Sequence, residues 1–335
     1  SKLMEIFKDL SNPASKEFEK LLNSQLSKNR IEEGKIIDGK MYAEKLLGEI
    51  HPLSKGFLNN FNRMPCLTVI LVGDNPASKI YVKNKILIAK KIDIESKEIF
   101  LSSDITEDEL IQHISILNKD QNVDGILVQL PLPKHISEKK IINIISPSKD
   151  VDGFHPKNFG KLFMGDPKFI PCTPLGCLYM LKHEIKDVKG KNAVIIGRSN
   201  IVGKPMASLL LSSDCSVTII HSKSKNIEVH TRKADILIVA VGIPEMIDEK
   251  FIKPGAIVID VGINRLESKN NDDFNNKGVL VGDVKFEKVL KIAKKITPVP
   301  GGVGPMTIAC LMHNTLKAAY INKKNDFINV LKGIL

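Results

Sequence analysis

One lysine in the chain lies where a solvated lysine is not expected. Lys85 falls within a predicted helix, Ala77–Ile92, and at about 100° per residue it shares an apolar arc with Tyr81 and Val82. A desolvated amine has a lowered pKa, which suits it to proton transfer. A lysine can also extend from an apolar stripe to water, and that alternative stays open. Lys85 is therefore a candidate catalytic residue, with Tyr81 beside it.

Two more polar side chains lie near the ends of predicted strands. Gln129 lies within the apolar run Ile126–Leu132, and Asp152 comes directly before Gly153. A buried amide is more often a satisfied core group, and Asp before Gly is more often a turn. In an α/β sheet, however, ligands collect at the carboxyl ends of the strands, where we expect Gln129 to lie.

A glycine-bearing turn begins at the end of the predicted strand Asn192–Gly197. Backbone amides at the start of the helix that follows can bind the pyrophosphate of a dinucleotide, and glycine permits its close approach. The match to Gly-x-Gly-x-x-Gly is imperfect, because Ser199 occupies the second glycine position and Gly203 falls one residue late. An ordinary turn is the alternative, but the strand context favours cofactor binding.

The next predicted strand, Val217–His221, indicates which dinucleotide is bound. An NAD site usually ends its second strand with an acidic residue for the ribose hydroxyls. Here the strand runs instead into the hydroxyl and lysine side chains of His221–Lys225. These groups suit a 2′-phosphate, and Arg198 could close on it with a bidentate guanidinium. A solvated basic loop is the alternative for Lys223 and Lys225 individually, and the combination favours NADP.

The elements that must position these residues alternate between strand and helix, which predicts parallel strands with crossover helices. The predicted strands are Cys66–Val72, Glu98–Leu101, Gly125–Leu130, Asn192–Gly197, Val217–His221, Ile236–Val241, Ala256–Val261 and Val279–Val281. The predicted helices include Tyr42–His51, Ala77–Ile92, one that starts at the capping box Thr106-x-x-Glu109, Ser137–Ile145 and Pro305–Tyr320. The glycine- and proline-rich segment Asp150–Thr173 breaks the alternation, so we place a domain boundary near residue 153.

The composition favours a globular protein and disfavours a membrane protein or a nucleic-acid-binding protein. The chain has 335 residues, 43% hydrophobic and 26% charged, which is typical of a globular protein with two cores. No apolar run approaches the roughly 20 residues of a membrane span, so we expect a soluble, unexported protein with no membrane partner. The net charge of +11 is spread along helices and aromatic residues make up 5%, which disfavours nucleic-acid binding. Cysteines and histidines form no metal-binding pattern.

Five motifs, in order, resemble the bifunctional methylenetetrahydrofolate dehydrogenase/methenyltetrahydrofolate cyclohydrolase (FolD) family. They are Gly73–Lys85, Gly125–Pro133, Lys149–Phe154, Gly197–Pro205 and Pro298–Thr307. The resemblance covers about residues 35 to 325. It implies an α/β protein with an N-terminal catalytic domain, a Rossmann-type doubly wound NADP-binding domain and a cleft between them. We therefore predict an extension of unknown role over residues 1–33, a folate-binding catalytic domain over 34–153 plus 305–335, and an NADP-binding domain over 154–304.

The resemblance also implies roles for individual residues. Lys85 would be the catalytic lysine and Gln129 its hydrogen-bond partner; Tyr81 would stack on the aminobenzoyl group of folate, Asp152 would hold the pterin, and Ser78 would join the substrate site. The residues at NADP-binding positions would be Gly197, Arg198, Ser199, Ser222, Ile263, Thr173, Gly304 and Thr307. The family further implies tetrahydrofolate derivatives as substrates, a cytoplasmic homodimer, and a place in one-carbon metabolism and purine biosynthesis. The extension over residues 1–33 and the loop Ser268–Phe274 depart from the family pattern.

Two other functions stay open at this stage. One is a different two-domain NADP-dependent dehydrogenase, which would act on a small acid and not on folate. The other is a non-enzymatic protein that uses the basic surface and the N-terminal extension to bind a nucleic acid or a partner, which salt-sensitive retention of RNA would indicate.

Overall fold

The computed structural model describes residues 34–266 and 278–335. These residues divide into two compact units. The first unit comprises Glu44–Cys172 and Ile308–Gly333, and the second comprises residues 34–43, Thr173–Thr307 and Ile334–Leu335. The predicted extension and the loop Ser268–Phe274 lie outside the described residues. The predicted domain limits stay predictions.

A three-stranded parallel sheet forms the centre of the first unit, with the strand order β2-β1-β3. The helices and strands from residue 39 to residue 163 are α1 (Gly39–Phe61), β1 (Cys66–Val72), α2 (Pro76–Lys91), β2 (Glu95–Leu101), α3 (Glu107–Lys119), β3 (Gly125–Val128), α4 (Glu138–Ile144) and α5 (Pro156–Phe163). Every residue of β1 is buried, because both faces of a central parallel strand are covered. Helix α3 begins with the predicted capping box, in which Thr106 and Glu109 exchange hydrogen bonds.

The second unit contains a five-stranded parallel sheet. The helices and strands from residue 172 to residue 322 are α6 (Cys172–Glu184), β4 (Asn192–Ile196), α7 (Gly203–Ser212), β5 (Ser216–Ile220), α8 (Ile227–Thr231), β6 (Ile236–Val239), β7 (Ile257–Asp260), β8 (Asn264–Leu266), β9 (Val279–Val281), α9 (Phe286–Val289), β10 (Lys295–Ile296) and α10 (Val303–Asn322). The part of α10 from Ile308 onward belongs to the first unit. The strand order is β5-β4-β6-β7-β10, so the winding reverses between β4 and β6. This is the doubly wound arrangement expected from the alternating pattern, and ligands bind such sheets at the carboxyl ends beside the reversal.

The prediction for Val279–Val281 was right about the strand and wrong about its sheet. This segment is β9, and it pairs antiparallel with β8 in a separate two-stranded sheet. The fifth strand of the parallel sheet is instead β10, whose two residues pair with Ile257 and Val258. Two residues carry no detectable periodicity, and this explains why the sequence did not indicate that strand.

Two predicted elements differ from the structure by three residues or more at one or both ends. Strand β2 begins at Glu95 and not at Glu98, because backbone pairing at a sheet edge does not require apolar side chains. Helix α1 continues ten residues past the predicted end at His51, although Pro52 lies inside it. The continuing apolar face, which includes the fully buried Phe57, stabilises the helix across the missing hydrogen bond.

The core of the first unit offers a matched test of packing within one helix. Ile114 and Ile116 both lie on α3, and they are 0% and 68% exposed. We expect Ile114→Ala to lower the free energy of unfolding by about 2–5 kcal/mol, because it leaves a cavity. The control Ile116→Ala should change it by less than about 0.5 kcal/mol. Urea denaturation followed by circular dichroism measures both, and equal losses would contradict the assigned faces of α3.

Candidate active site and cofactor-binding turns

Lys85 and Gln129 are in direct contact in the first unit. The Lys85 Nζ atom, on α2, donates a hydrogen bond of 2.7 Å to Gln129 Oε1. Gln129 follows the last residue of β3, so it lies at the carboxyl end of that strand, and its backbone amide donates to Ile70 O over 2.9 Å. Its side-chain nitrogen donates to Leu130 O over 3.3 Å. The side-chain amide of Gln129 is thus hydrogen-bonded through both its oxygen and its nitrogen, and it fixes the position of the lysine amine.

Burial shifts the pKa values of Lys85 and Asp152 in opposite directions. Burial lowers the pKa of Lys85, and nearby Asp152 and Cys172 oppose that shift. Burial raises the pKa of Asp152 to about 7; the positive charge of Lys85 opposes this, and Asp150 adds to it. Burial also raises the pKa of the Cys172 thiol, so this neighbour stays neutral. The site therefore combines an amine that releases its proton more readily than usual with a carboxyl group that ionises late.

Asp152 lies in a turn that other residues of the first unit hold in place. Gly153 has φ +77°, and a Cβ there would lie 2.8 Å from Phe169 O. The buried Asp150 carboxylate accepts hydrogen bonds of 2.9 Å from the His155 amide and from Asn158 Nδ2. Asp before Gly does form a turn here, and that turn places Asp152 within electrostatic range of Lys85.

Asn314 is a buried residue that sequence reasoning missed. Its side-chain amide, on α10, donates to Val151 O over 3.0 Å and to Ile170 O over 2.9 Å. The two hydrogens of the amide therefore fix two segments next to the candidate site, one at Val151 and one at Ile170. An Asn within an apolar helix was the available signal, because a buried amide must find partners.

Ser78 and Tyr81 lie on the same helix as Lys85, two turns and one turn before it, respectively. Tyr81 is 44% exposed, so its ring is accessible to a ligand. Ser78 is buried, and its backbone amide donates to the side chain of Asn75, which caps α2. The spacing of three and four residues places both on the side of α2 that carries Lys85.

The glycine turn after β4 has the shape that a phosphate site requires. Gly197 has φ +126°, and a Cβ there would overlap the carbonyl oxygen of Ala240. A Cβ on Gly203 would overlap the backbone of Gly197. The Ser199 hydroxyl accepts hydrogen bonds from the amides of Val202 and Gly203, over 3.0 and 3.4 Å, and so holds the turn that leads into α7. At the position where the standard fingerprint has its second glycine, this chain therefore has a serine whose hydroxyl stabilises the turn.

Arg198 and Ser222 project from neighbouring loops. Strands β4 and β5 are adjacent, and the Gly197 amide donates to Ile220 O over 2.8 Å, so their carboxyl ends lie side by side. Arg198 and Ser222 are both exposed. A guanidinium, a hydroxyl and lysines at this edge fit the 2′-phosphate of NADP.

The remaining four candidates for cofactor binding form a second group within the second unit. The hydroxyl oxygens of Thr173 and Thr307 lie 2.9 Å apart. Gly304 lies one turn before Thr307 on α10, and a Cβ on it would lie 3.9 Å from Ile263 Cδ1. The structure thus brings the eight candidates together as two groups of four.

The described residues were also compared with the requirements of a membrane-spanning helix and of a metal site. None of the helices over residues 34–266 and 278–335 is long and apolar enough to cross a membrane. Within the same ranges, no group of three or more His, Cys, Asp or Glu side chains is arranged to hold a metal ion.

Two family models match this chain. Residues 37–152 match the catalytic domain of the tetrahydrofolate dehydrogenase/cyclohydrolase family, and residues 171–323 match its NAD(P)-binding domain. A curated relative from Acetivibrio thermocellus, named bifunctional protein FolD, is 53% identical over 296 residues, which is 87% of this chain and 99% of the relative.

Solved structures give the same result. The FolD methylenetetrahydrofolate dehydrogenase/cyclohydrolase of Campylobacter jejuni is 49% identical with a TM-score of 0.80, over 85% of this chain and 98% of that one. The Trypanosoma brucei FolD, solved in complex with NADP cofactor and an inhibitor, is 34% identical with a TM-score of 0.80, over 85% and 96% of the chains.

The raised pKa of Asp152 predicts a pH-dependent effect on stability. The folded carboxyl group keeps its proton up to about pH 7, whereas the unfolded group loses it near pH 3.8. The wild type therefore loses stability as the pH rises from 4 through 7, and Asp152→Asn, which cannot ionise, does not. We expect the stability of the variant relative to wild type to increase over that window and then level off.

Urea denaturation at several pH values measures this difference. The control is Asp326→Asn, since Asp326 is an exposed carboxylate of the same unit. A difference between Asp152→Asn and wild type that is constant from pH 4 to 8 would show that Asp152 ionises normally.

Proposed function

This chain belongs to the tetrahydrofolate dehydrogenase/cyclohydrolase family, and on that premise we propose how its own residues perform the two activities. The protein is a bifunctional enzyme. It oxidises 5,10-methylenetetrahydrofolate to 5,10-methenyltetrahydrofolate with NADP, and it hydrolyses the product to 10-formyltetrahydrofolate. The observation that carries the assignment of residues is the 2.7 Å hydrogen bond from Lys85 Nζ to Gln129 Oε1. Family membership also sets aside a dehydrogenase specific for a small acid.

In the cyclohydrolase step, Lys85 manages the protons. Attack of water on the methenyl carbon releases a first proton and leaves a hydroxyl group on that carbon. Opening of the ring requires a second proton at N5, while the hydroxyl group loses its own proton to solvent and becomes the formyl oxygen, so one proton is released overall. An amine with a lowered pKa can accept the first and return the second, provided that it stays within hydrogen-bonding distance of the reacting atoms. Gln129 holds the amine in place, and Tyr81 stacks on the aminobenzoyl ring beside it. Asp152 binds the pterin, and Ser78 joins the substrate site.

In the dehydrogenase step, the residues of the chain bind and orient. NADP supplies the hydride acceptor when it is bound. The glycine turn at Gly197 and the start of α7 bind its pyrophosphate, and Ser199 keeps that turn in shape. Arg198 and Ser222 bind the 2′-phosphate, while Thr173, Ile263, Gly304 and Thr307 line the nicotinamide side. Because hydride transfer requires close alignment more than an acid or a base, positioning is the main contribution of the protein.

The proposal includes features that stay predictions. They are a homodimer, a cytoplasmic location, the cleft between the domains, a role in purine biosynthesis, and the absence of nucleic-acid and membrane partners. A spectrophotometric assay of the purified protein with methylenetetrahydrofolate and NADP, followed by an assay of methenyltetrahydrofolate decay, tests the two activities. Turnover of neither substrate would overturn the proposed function.

Replacing the lysine amine tests its role directly. We expect Lys85→Met to reduce the cyclohydrolase rate by about 10²–10⁴-fold, the usual contribution of a general acid–base group. Binding of NADP should not change, because no cofactor-binding candidate is altered. The control is Lys83→Met, since Lys83 is an exposed lysine on the same helix. Full cyclohydrolase activity in Lys85→Met would refute the assignment.

The preference for NADP depends on Arg198 in this proposal. We expect Arg198→Ala to raise the KM for NADP by about tenfold, since a charge-assisted contact to the 2′-phosphate is lost. The KM for NAD, which lacks that phosphate, should stay within about twofold. Steady-state kinetics with each cofactor measures both values, and Lys233→Ala removes an exposed cation elsewhere in the unit as a control. An equal rise in both KM values would contradict recognition of the 2′-phosphate by Arg198.

A further inference from the structure

Two buried carboxylates of the second unit are not among the residues assigned above. Asp283 is fully buried, and its Oδ2 atom accepts hydrogen bonds from the amides of Val241, over 2.8 Å, and Gly242, over 3.0 Å. Its Oδ1 atom accepts from Asn264 Nδ2 over 2.8 Å. One side chain therefore holds the loop after β6 and the start of β8.

Asp260 holds the neighbouring segments. It is the last residue of β7 and is 3% exposed. Its Oδ1 atom accepts from the amides of Gly262 and Asp283, each over 3.0 Å, and its Oδ2 atom accepts from the amide of Val284 over 3.1 Å. The two carboxylates thus accept six hydrogen bonds between them, five of which come from backbone amides.

The surrounding backbone is adapted to these two groups. A Cβ on Gly262 would overlap the Asp283 carboxylate, and a Cβ on Gly282 would overlap that of Asp260. Burial raises the pKa of Asp260 to about 7, and the charge of Asp283 adds to the shift. Burying two acidic groups side by side is unfavourable. The six hydrogen bonds offset that cost, and five of them come from the backbone of the loops, so the two carboxylates fix the conformation of those loops.

The loops after β6 and β7, which the two carboxylates hold, lie where the nicotinamide half of a dinucleotide is expected. Both follow strands β6 and β7 at the carboxyl edge of the sheet, beyond the reversal between β4 and β6. The glycine turn and the residues for the 2′-phosphate lie on the other side, after β4 and β5. Because a dinucleotide lies across the reversal, its nicotinamide half faces the loops after β6 and β7. Ile263 directly follows Gly262 in one of them.

We propose that Asp283, supported by Asp260, is a positioning residue for hydride transfer. It fixes residues 240–242 and 262–264 as the support for the nicotinamide half of NADP. This inference rests on the proposed function. The cyclohydrolase step uses no cofactor, so Asp283 serves one of the two activities and not the other.

The test compares both activities in Asp283→Ala. We expect the kcat of the dehydrogenase to fall by about 10–100-fold, because misplacement by about an ångström has effects of that size. The cyclohydrolase rate should stay within about twofold. The affinity for adenosine 2′,5′-bisphosphate, which carries only the adenosine half of NADP, should also stay within about twofold when titrated by calorimetry.

Two variants make the test specific. In Asp283→Asn, the amide oxygen can still accept from Val241 and Gly242, and its NH₂ can donate to Asn264 if that amide turns over. It should therefore retain most of the dehydrogenase activity that Asp283→Ala loses. Asp235→Ala is the control, since Asp235 accepts a hydrogen bond from the Asn192 amide at the opposite edge of the sheet.

Each outcome is decisive. Wild-type dehydrogenase kcat in Asp283→Ala would overturn the inference. Loss of bisphosphate binding in parallel with activity would also overturn it, because that result indicates general damage to the unit. A wild-type protein that binds the bisphosphate but oxidises no methylenetetrahydrofolate would refute the proposed function instead.

Discussion

The chemistry of the first unit depends on the Lys85 amine, which has to be buried and still be able to exchange a proton. Burial removes water from Lys85 and lowers its pKa, and an unpaired buried ammonium would be very unfavourable. The amide of Gln129 solves this problem, because its oxygen accepts from the amine in either protonation state. A carboxylate in the same place would stabilise the charged form and raise the pKa again. Asp152 lies close enough to interact electrostatically, and its own ionisation is delayed by burial.

The second unit meets a different requirement, since a cofactor has to be held without a reactive side chain. The groups that hold the cofactor are backbone amides and glycines, together with the side chains that fix their conformation. The hydroxyl of Ser199 shapes the turn before α7, and Asp283 and Asp260 shape the loops on the other side of the reversal. Chemistry thus resides in side chains in one unit and in backbone geometry in the other.

The sequence revealed side-chain chemistry better than it revealed backbone support. Lys85 stood out because its position conflicted with helical periodicity, and the long apolar strand Cys66–Val72 was predicted to the residue. The two-residue strand β10 and the sheet of β9 could not be predicted, because short segments carry no periodic signal. Asp283 and Asn314 escaped notice for another reason. Each acts through hydrogen bonds to distant backbone groups, and the sequence does not indicate which groups those are, even where an amide such as that of Asn314 stands out in an apolar helix.

The hydrogen bonds of the Asn314 side chain also determine when the substrate site can take its final form during synthesis of the chain. Asn314 lies 163 residues after Val151, whose carbonyl it holds. A ribosome must therefore translate the whole parallel sheet of the second unit before the turn around Asp152 can acquire its final hydrogen bonds. Since domains generally fold as they emerge, the nascent chain carries an unfinished substrate site until its last helix has been made.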